Sequence, residues 1–399
     1  MAQARRRVPR RTRSGRRSKV ALVCAGGGIT GAVYEIGALR ALEDLLDRSV
    51  ADLDLYVGVS GGAFVTSLLA NGVSPREMYD AIAAPRRGGL SDPTGALFRF
   101  GLGEFWRRSL RAPRVVTDAL LARFAGEGRN WSDVAWALFE LLPAGLLDNS
   151  GIEEYLSALF ASRGRGNEFE GLSKPLHVIA VDLDSGEAVD FGPDDRHEVT
   201  VSKAVQASTA LPGLYRPVRI GGRDYVDGGV KKTAHINLAI QNGADLVICV
   251  NPIVPIDNRS GALPGHLSSK GVTYVLDQVL RIALHGRMQY GLERYKAEHP
   301  EVDILLLEPT RDDLRMFSYN IMRYSARKVV AAHAYRSTLQ AFSAREDEYR
   351  RLLRRHGIVL RSPKRLPLVP EVSPYGSSLA RALAGSLDAL SSALGRKAG

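Results

Sequence analysis

The chain has 399 residues, of which 45% are hydrophobic and 24% are charged, proportions typical of a globular protein with a sizeable core. Its apolar runs fall well short of the ~18 residues that a bilayer-spanning helix needs. The N-terminal segment also lacks the apolar region of a secretory signal, so the expected location is the cytoplasm.

The net charge of +11 is concentrated at the N-terminus. Residues 1–19 contain eight Arg and one Lys and no acidic residue, which leaves about +2 for the rest of the chain. Residues 1–18 are therefore predicted to form a disordered arm that is either simply solvated or peripherally bound to anionic lipid headgroups. Nucleic-acid binding is not expected, because no basic-aromatic pattern or known nucleic-acid motif is present.

Strand and helix patterns alternate from residue 19 onward. "KVALVCA" and "LDLYVGVS" predict buried strands, and each is followed by a helical pattern. Further strands are predicted in "PLHVIAVDLDSGEAVDFG", as a hairpin turning near Ser185 and Gly186, and in "ADLVICVNPIV" and "DILLLEPT". This order predicts an α/β fold over residues 19–357, with a mainly parallel central sheet flanked by helices.

Two segments depart from this alternation. Residues 75–162 are helix-prone and predict a cap inserted over the sheet, with Ser150 and Glu153 forming a capping box at one helix start. Residues 358–399 comprise a Pro-containing linker and an amphipathic helix whose leucines share one face, at Leu379, Leu383, Leu387, Leu390 and Leu394. This helix is expected to dock on its own protein.

Two glycine motifs follow the first two strands. Gly26, Gly28 and Gly31 form G-x-G-x-x-G, a pattern found in dinucleotide-binding turns. A dinucleotide site, however, requires an acidic residue where the second strand ends, and "YVGVSGGA" has none there. Because parallel strands end at the same edge of a sheet, the glycine loop can instead present N–H groups to an oxyanion beside a serine.

The second motif, Gly58-Val59-Ser60-Gly61-Gly62, fits G-x-S-x-G between a strand and a helix, which is the setting of a nucleophilic serine. Such a serine needs a base. His235 follows in the order Ser…Asp…His but belongs to no predicted strand end. Asp227 in "YVDGGV" is the better candidate, provided that burial raises its basicity above that of an ordinary carboxylate.

The ordered motifs "GGGITG", "GVSGG" and "DGG" resemble those of the patatin-like phospholipases over roughly residues 19–255. These are lipid acyl hydrolases with a Ser-Asp dyad. The resemblance implies Ser60 as nucleophile, Asp227 as base and the N–H groups of Gly26, Gly27 and Gly28 as the oxyanion hole. The supporting glycines are Gly31, Gly58, Gly61, Gly62, Gly228 and Gly229. The family often has Arg or Lys where this chain has Thr30. This difference is expected to affect either contact with the lipid headgroup or packing of the glycine loop.

The expected activity is hydrolysis of a lipid or phospholipid ester, without a metal or an organic cofactor. The alternatives are an acyltransferase using the same dyad and a non-catalytic membrane-surface adaptor. The buried cysteines Cys24 and Cys249 are expected to be free thiols. The acyl chain is expected to lie against aromatic and leucine side chains of the cap, drawn from Leu97, Phe98, Phe100, Phe105, Trp106, Leu110, Trp131, Trp136 and Phe139.

Overall fold

The computed structural model describes residues 17–83, 90, 99–100, 117, 144–194, 199–259, 265–311, 313 and 326–366. Residues 1–16 of the predicted arm, most of the predicted cap with its aromatic side chains, and the leucine-rich C-terminal helix lie outside the described residues. The predictions for these segments therefore stay predictions.

The strands, numbered along the described chain, are β1 (Val20–Cys24), β2 (Leu55–Val59), β3 (Arg99–Phe100), β4 (Gly145–Asp148), β5 (Leu176–Asp182), β6 (Ala188–Phe191), β7 (Gly213–Tyr215), β8 (Val218–Ile220), β9 (Arg223–Asp227), β10 (Leu246–Val250) and β11 (Asp303–Leu307). The helices are α1 (Gly28–Leu45), α2 (Gly61–Ala70), α3 (Pro75–Ala83), α4 (Ser150–Ser162), α5 (Val201–Ser208), α6 (Ile236–Gln241), α7 (Val272–Glu298), α8 (Arg327–Ala344) and α9 (Glu346–Arg354).

The central sheet has the strand order β11-β10-β1-β2-β5-β9-β8, with β6 also paired to β5. The five strands from β11 to β5 run parallel, and β6, β9 and β8 add antiparallel pairs at the other side. The predicted mixed α/β fold with a mainly parallel sheet is confirmed. The hairpin of β5 and β6 is likewise confirmed, and it turns through Ser185 and Gly186.

Both faces of the sheet are covered, which explains why its central strands are apolar at every position. In β1, Val20, Leu22 and Cys24 belong to one buried cluster. Ala21 and Val23 belong to the cluster on the opposite face. Helices α1, α2, α5 and α8 contribute to the first cluster, and α6 and α7 to the second. The carboxyl ends of β1 and β2 therefore lie at the same edge of a sheet whose two faces are both covered.

The described parts of residues 75–162 contain helices. They also contain two short strands, β3 and β4, that the sequence pattern did not indicate. Strand β4 pairs with β3 and β7 in a second, three-stranded sheet. The predicted capping box at α4 is wrong: Asn149 is the N-cap, and the Ser150 N–H donates to the Asp148 carboxylate at 2.8 Å. In a capping box the Glu153 side chain would accept the Ser150 N–H, but the neighbouring Asp148 carboxylate accepts it instead.

Candidate active site

The tight turn at Ser60 connects β2 directly to α2. Its φ of 54° and ψ of −124° make Ser60 the one non-glycine residue with positive φ among those that the structure describes. This conformation is costly for a residue with a side chain, and it persists only where the surroundings enforce it. The predicted strand–turn–helix context of the G-x-S-x-G motif is therefore present.

Two glycines of this motif allow the turn to pack tightly. A Cβ atom on Gly62 would overlap the carbonyl oxygens of Cys24 and Ala25, and one on Gly58 would overlap Thr66 and Ala63 of α2. The first turn of α2 can therefore lie directly against the end of β1. The other motif glycines also lie at close approaches, with Gly31 next to Pro252, Gly61 next to Gly28, Gly228 next to Ile179 and Gly229 next to the Asp227 carboxylate.

Ser208 holds the backbone of the turn in place. The Ser60 N–H donates to the Ser208 hydroxyl at 2.9 Å, and this hydroxyl donates to the Ile179 carbonyl of β5 at 2.6 Å. Both serines are buried, so neither bond competes with water. Sequence inspection missed Ser208, because a serine at the end of a helix has no distinguishing pattern.

Asp227 lies at the end of β9, where its carboxylate lies beside the Ser60 hydroxyl in the same cleft. It accepts the Gly229 N–H at 2.8 Å. The pKa of Asp227 is raised to about 6, because burial outweighs the opposing effects of the Ser60 hydroxyl and the Gly229 N–H. The structure thus brings the two residues predicted as nucleophile and base into direct contact.

His235 is buried at the N-cap of α6, and its Nε2 has no hydrogen-bond partner among the described residues. Burial, together with the nearby positive charges of Lys232 and Lys231, lowers the pKa of His235 to about 3. The imidazole is therefore neutral at ordinary pH. No hydrogen bond joins it to Ser60 or Asp227 in the described part of the chain.

The glycine loop lies beside the serine, since a Cβ atom on Gly26 would be only 3.4 Å from the Cβ of Ser60. The N–H of Gly26 itself donates to the Thr233 carbonyl at 3.0 Å, so it is already engaged. The N–H groups of Gly27 and Gly28, at the start of α1, have no acceptor among the residues that the structure describes. Of the three glycines predicted to form the oxyanion hole, Gly26 therefore has its N–H group engaged within the described structure, whereas Gly27 and Gly28 do not.

Helix α7 forms the opposite wall of the cleft that holds Ser60, Asp227 and the glycine loop. It contributes Asp277, Leu280, Arg281 and Leu284 to the lining. The Arg281 guanidinium is buried and donates through Nε to the Asp277 carboxylate at 2.8 Å. Thr30 is buried on α1 and does not line the cleft. The basic side chain among the described lining residues is Arg281, from a helix that the motifs did not indicate.

Three further buried groups lie on β1, β10 and α1. Cys24 and Cys249 are free and buried, as predicted, and burial raises the pKa of both thiols. Glu35 on α1 is fully buried, and neither carboxyl oxygen has a hydrogen-bond partner among the described residues. Burial raises the pKa of Glu35 well above its usual value.

The family model for patatin-like phospholipases matches residues 22–240, more than half of the sequence. The chain belongs to this family. "Probable lipid hydrolase 463L" of Invertebrate iridescent virus 6 is 21% identical over 226 residues, which cover 55% of this chain and 63% of that protein. The match thus spans less than two thirds of this relative's length.

Two solved structures are also similar. VipD from Legionella pneumophila aligns over 82% of this chain and 67% of its own, with 17% identity and a TM-score of 0.36. The type III effector ExoU, of Pseudomonas aeruginosa, aligns over 85% of this chain and 59% of its own, with 13% identity and a TM-score of 0.30.

Proposed function

We propose that this chain is a lipid acyl hydrolase that cleaves carboxylic esters through a Ser60 acyl-enzyme. The observation that carries this proposal is the contact between a serine in a strained strand–helix turn and a buried carboxylate whose pKa is raised to about 6. A carboxylate with this pKa is ionised at neutral pH and is more basic than an exposed one. Family membership and the viral lipid hydrolase relative support a lipid ester as substrate.

In the proposed reaction, the Ser60 oxygen attacks the ester carbonyl carbon while Asp227 takes the hydroxyl proton. The negative charge that develops on the carbonyl oxygen is stabilised by the N–H groups of Gly27 and Gly28 and by the positive end of α1. Collapse of this intermediate breaks the bond to the alcohol, which leaves with the proton from Asp227. Water, deprotonated by Asp227, then attacks the acyl-enzyme. The bond between the acyl carbon and the Ser60 oxygen breaks, Asp227 returns the proton to Ser60, and the fatty acid is released. These steps require no metal or organic cofactor.

The test is active-site labelling with a fluorophosphonate, together with turnover of a chromogenic short-chain ester. Wild-type protein should be labelled at Ser60, and Ser60→Ala should lose labelling and several orders of magnitude of kcat. Ser67→Ala is the matched control, because Ser67 is a buried serine on α2 outside the cleft. Near-normal turnover by a folded Ser60→Ala protein would exclude Ser60 as nucleophile.

The same measurement separates the hydrolase from its rivals. A folded wild-type chain that is neither labelled nor active would favour the membrane-surface adaptor. Analysis of the acyl product distinguishes hydrolysis from transfer, since a hydrolase releases free fatty acid in the presence of an added alcohol acceptor.

We also propose peripheral contact with anionic membranes through the Arg-rich arm of residues 1–18. The described helices contain no stretch that is long and apolar enough to cross a bilayer. A cluster of eight arginines adds roughly 1 kcal/mol per residue near an anionic surface.

A further inference from the structure

The N-terminal half of α7 exposes an unusually apolar surface. Between Gly271 and Gly286, every side chain that the structure leaves exposed is uncharged. The large members are Val272, Val275, Leu276, Val279, Leu280 and Ile282, with exposed fractions from 39% to 68%. Five of them recur at the three- and four-residue spacing that places them on one helical stripe. We call these six residues the α7 face.

The arrangement of side chains in this half of α7 is the reverse of that in an ordinary surface helix, because apolar side chains face solvent and polar side chains face the protein. Its inward side carries the buried Arg281, paired with Asp277, and Gln278, whose amide exchanges hydrogen bonds of 3.0 and 2.9 Å with the backbone of Ile256. Because these polar contacts fix the helix, the α7 face is held outward rather than exposed by a loose fit. Contiguous exposed apolar patches of this kind mark interaction sites.

The α7 face is continuous with the candidate catalytic cleft. Leu280 belongs to the face and also lines the cleft that contains Ser60. Val230, on the other side of the cleft, is 47% exposed and lines it as well. An acyl chain that crosses Leu280 toward Ser60 would therefore stay in contact with apolar side chains.

Basic groups lie next to this mouth. Lys231 and Lys232 directly follow Val230, and Arg287 of α7 donates hydrogen bonds of 3.0 and 2.6 Å to the carbonyls of Val230 and Lys231. Lys232 is exposed. An apolar stripe bordered by cations complements the surface of an anionic bilayer, since the apolar side chains can contact the acyl chains while the basic side chains contact the phosphates.

We propose that the α7 face is an interfacial binding surface, which inserts into an anionic phospholipid bilayer and places the cleft mouth at the lipid headgroups. We assign a bilayer rather than a second protein as the occupant for two reasons. The α7 face leads into the candidate catalytic cleft of a protein whose family acts on lipids, and the face is bordered by positive charge. The proposal deepens the proposed function by assigning how the lipid reaches Ser60.

The experiment is co-sedimentation of the full chain with sucrose-loaded vesicles of phosphatidylcholine and phosphatidylglycerol, in a Ser60→Ala background that leaves the lipid intact. A NaCl concentration of about 0.5 M shortens the Debye length to roughly 4 Å and suppresses the contribution of the basic arm. Leu276→Ser with Val279→Ser should weaken partitioning roughly tenfold, since both substitutions remove inserted apolar surface. Because no turnover is measured, the result is independent of the dyad.

The matched control is Val359→Ser, whose vesicle binding is compared with that of the single variant Val279→Ser. Val359 is 59% exposed and Val279 is 56% exposed. Val359 hydrogen-bonds with Asp47 beyond the end of α1, away from the cleft. Only the Val279 substitution should weaken binding. Equal partitioning of wild type and the double variant, or equal losses in the two single variants, would overturn the proposal.

Two further outcomes would assign the face to another occupant. Light scattering that shows a wild-type dimer and a monomeric double variant would make it an interface between copies of this chain. The amides of residues 272–282 are already hydrogen-bonded within α7, so their hydrogen exchange should slow further when vesicles are added. Exchange of these amides that vesicles leave unchanged would instead indicate cover by another part of the chain, such as the leucine stripe of residues 379–394.

Discussion

The backbone N–H of Ser60 donates a 2.9 Å hydrogen bond to the hydroxyl of Ser208, which donates in turn to the Ile179 carbonyl. This relay joins the turn after β2 to the neighbouring strand β5 through the last residue of α5. It opposes relaxation of the left-handed conformation at Ser60, and Ser208 therefore acts as a positioning residue.

Ser208→Ala should lower kcat on a soluble ester by roughly tenfold or more and leave KM nearly unchanged, because the Ser60 oxygen is displaced while the cleft is intact. It should also cost about 1–3 kcal/mol in the free energy of unfolding, since a buried N–H loses its acceptor. Kinetics and urea unfolding provide the two measurements. Ser67→Ala is the control, and equal kcat in the two variants would contradict a positioning role.

The pair Asp227→Asn and His235→Ala distinguishes a dyad from a triad. Asp227→Asn keeps the shape of the side chain and an acceptor for the Gly229 N–H but removes the base, so we expect kcat to fall by several orders of magnitude. His235→Ala should keep most of the activity, because His235 makes no hydrogen bond to Ser60 or Asp227 in the described residues. A folded but inactive His235→Ala protein, with circular dichroism like that of wild type, would make the histidine part of the mechanism.

The rate should depend on pH through the single ionisation of Asp227. The carboxyl must be ionised to accept the Ser60 proton, and burial raises its pKa to about 6. The value of kcat/KM should therefore be constant above pH ~7 and fall tenfold per unit well below pH 6. A profile of kcat/KM between pH 4.5 and pH 8.5, at constant ionic strength, measures this. A rate that stays constant down to about pH 4.5 would show that Asp227 keeps an ordinary carboxylate pKa.

The arm of residues 1–18 should affect vesicle binding but not catalysis. Replacing its eight arginines with Gln should leave turnover of a soluble ester unchanged and weaken binding to anionic vesicles at low salt. The difference should shrink as the salt concentration rises, because the Debye length falls to ~8 Å at physiological ionic strength. Co-sedimentation across a salt series measures both effects. Indistinguishable binding of the two proteins at low salt would leave the arm as a solvated segment.

Much of the site could be predicted from local sequence. The strand patterns before Gly26 and Ser60 place two loops at one sheet edge, since parallel strands end together, and the rejection of a dinucleotide site required only the absent acidic residue. The hairpin at Ser185 and Gly186 was likewise evident from turn chemistry. The start of α4 was not, because the Asp148 carboxylate accepts the Ser150 N–H that the Glu153 side chain would accept in a capping box.

The sequence by itself determined the fold class and the choice of Ser60 and Asp227, because apolar periodicity and tight turns are encoded by neighbouring residues. Only the tertiary structure decided that the Gly26 N–H is occupied by Thr233, that Ser208 fixes the turn and that Arg281 faces the cleft. It also decided the raised pKa of Asp227 and the lowered pKa of His235. Hydrogen-bond partners and desolvation depend on segments far apart in the chain, whose approach is fixed only when the sheet and its helices pack together.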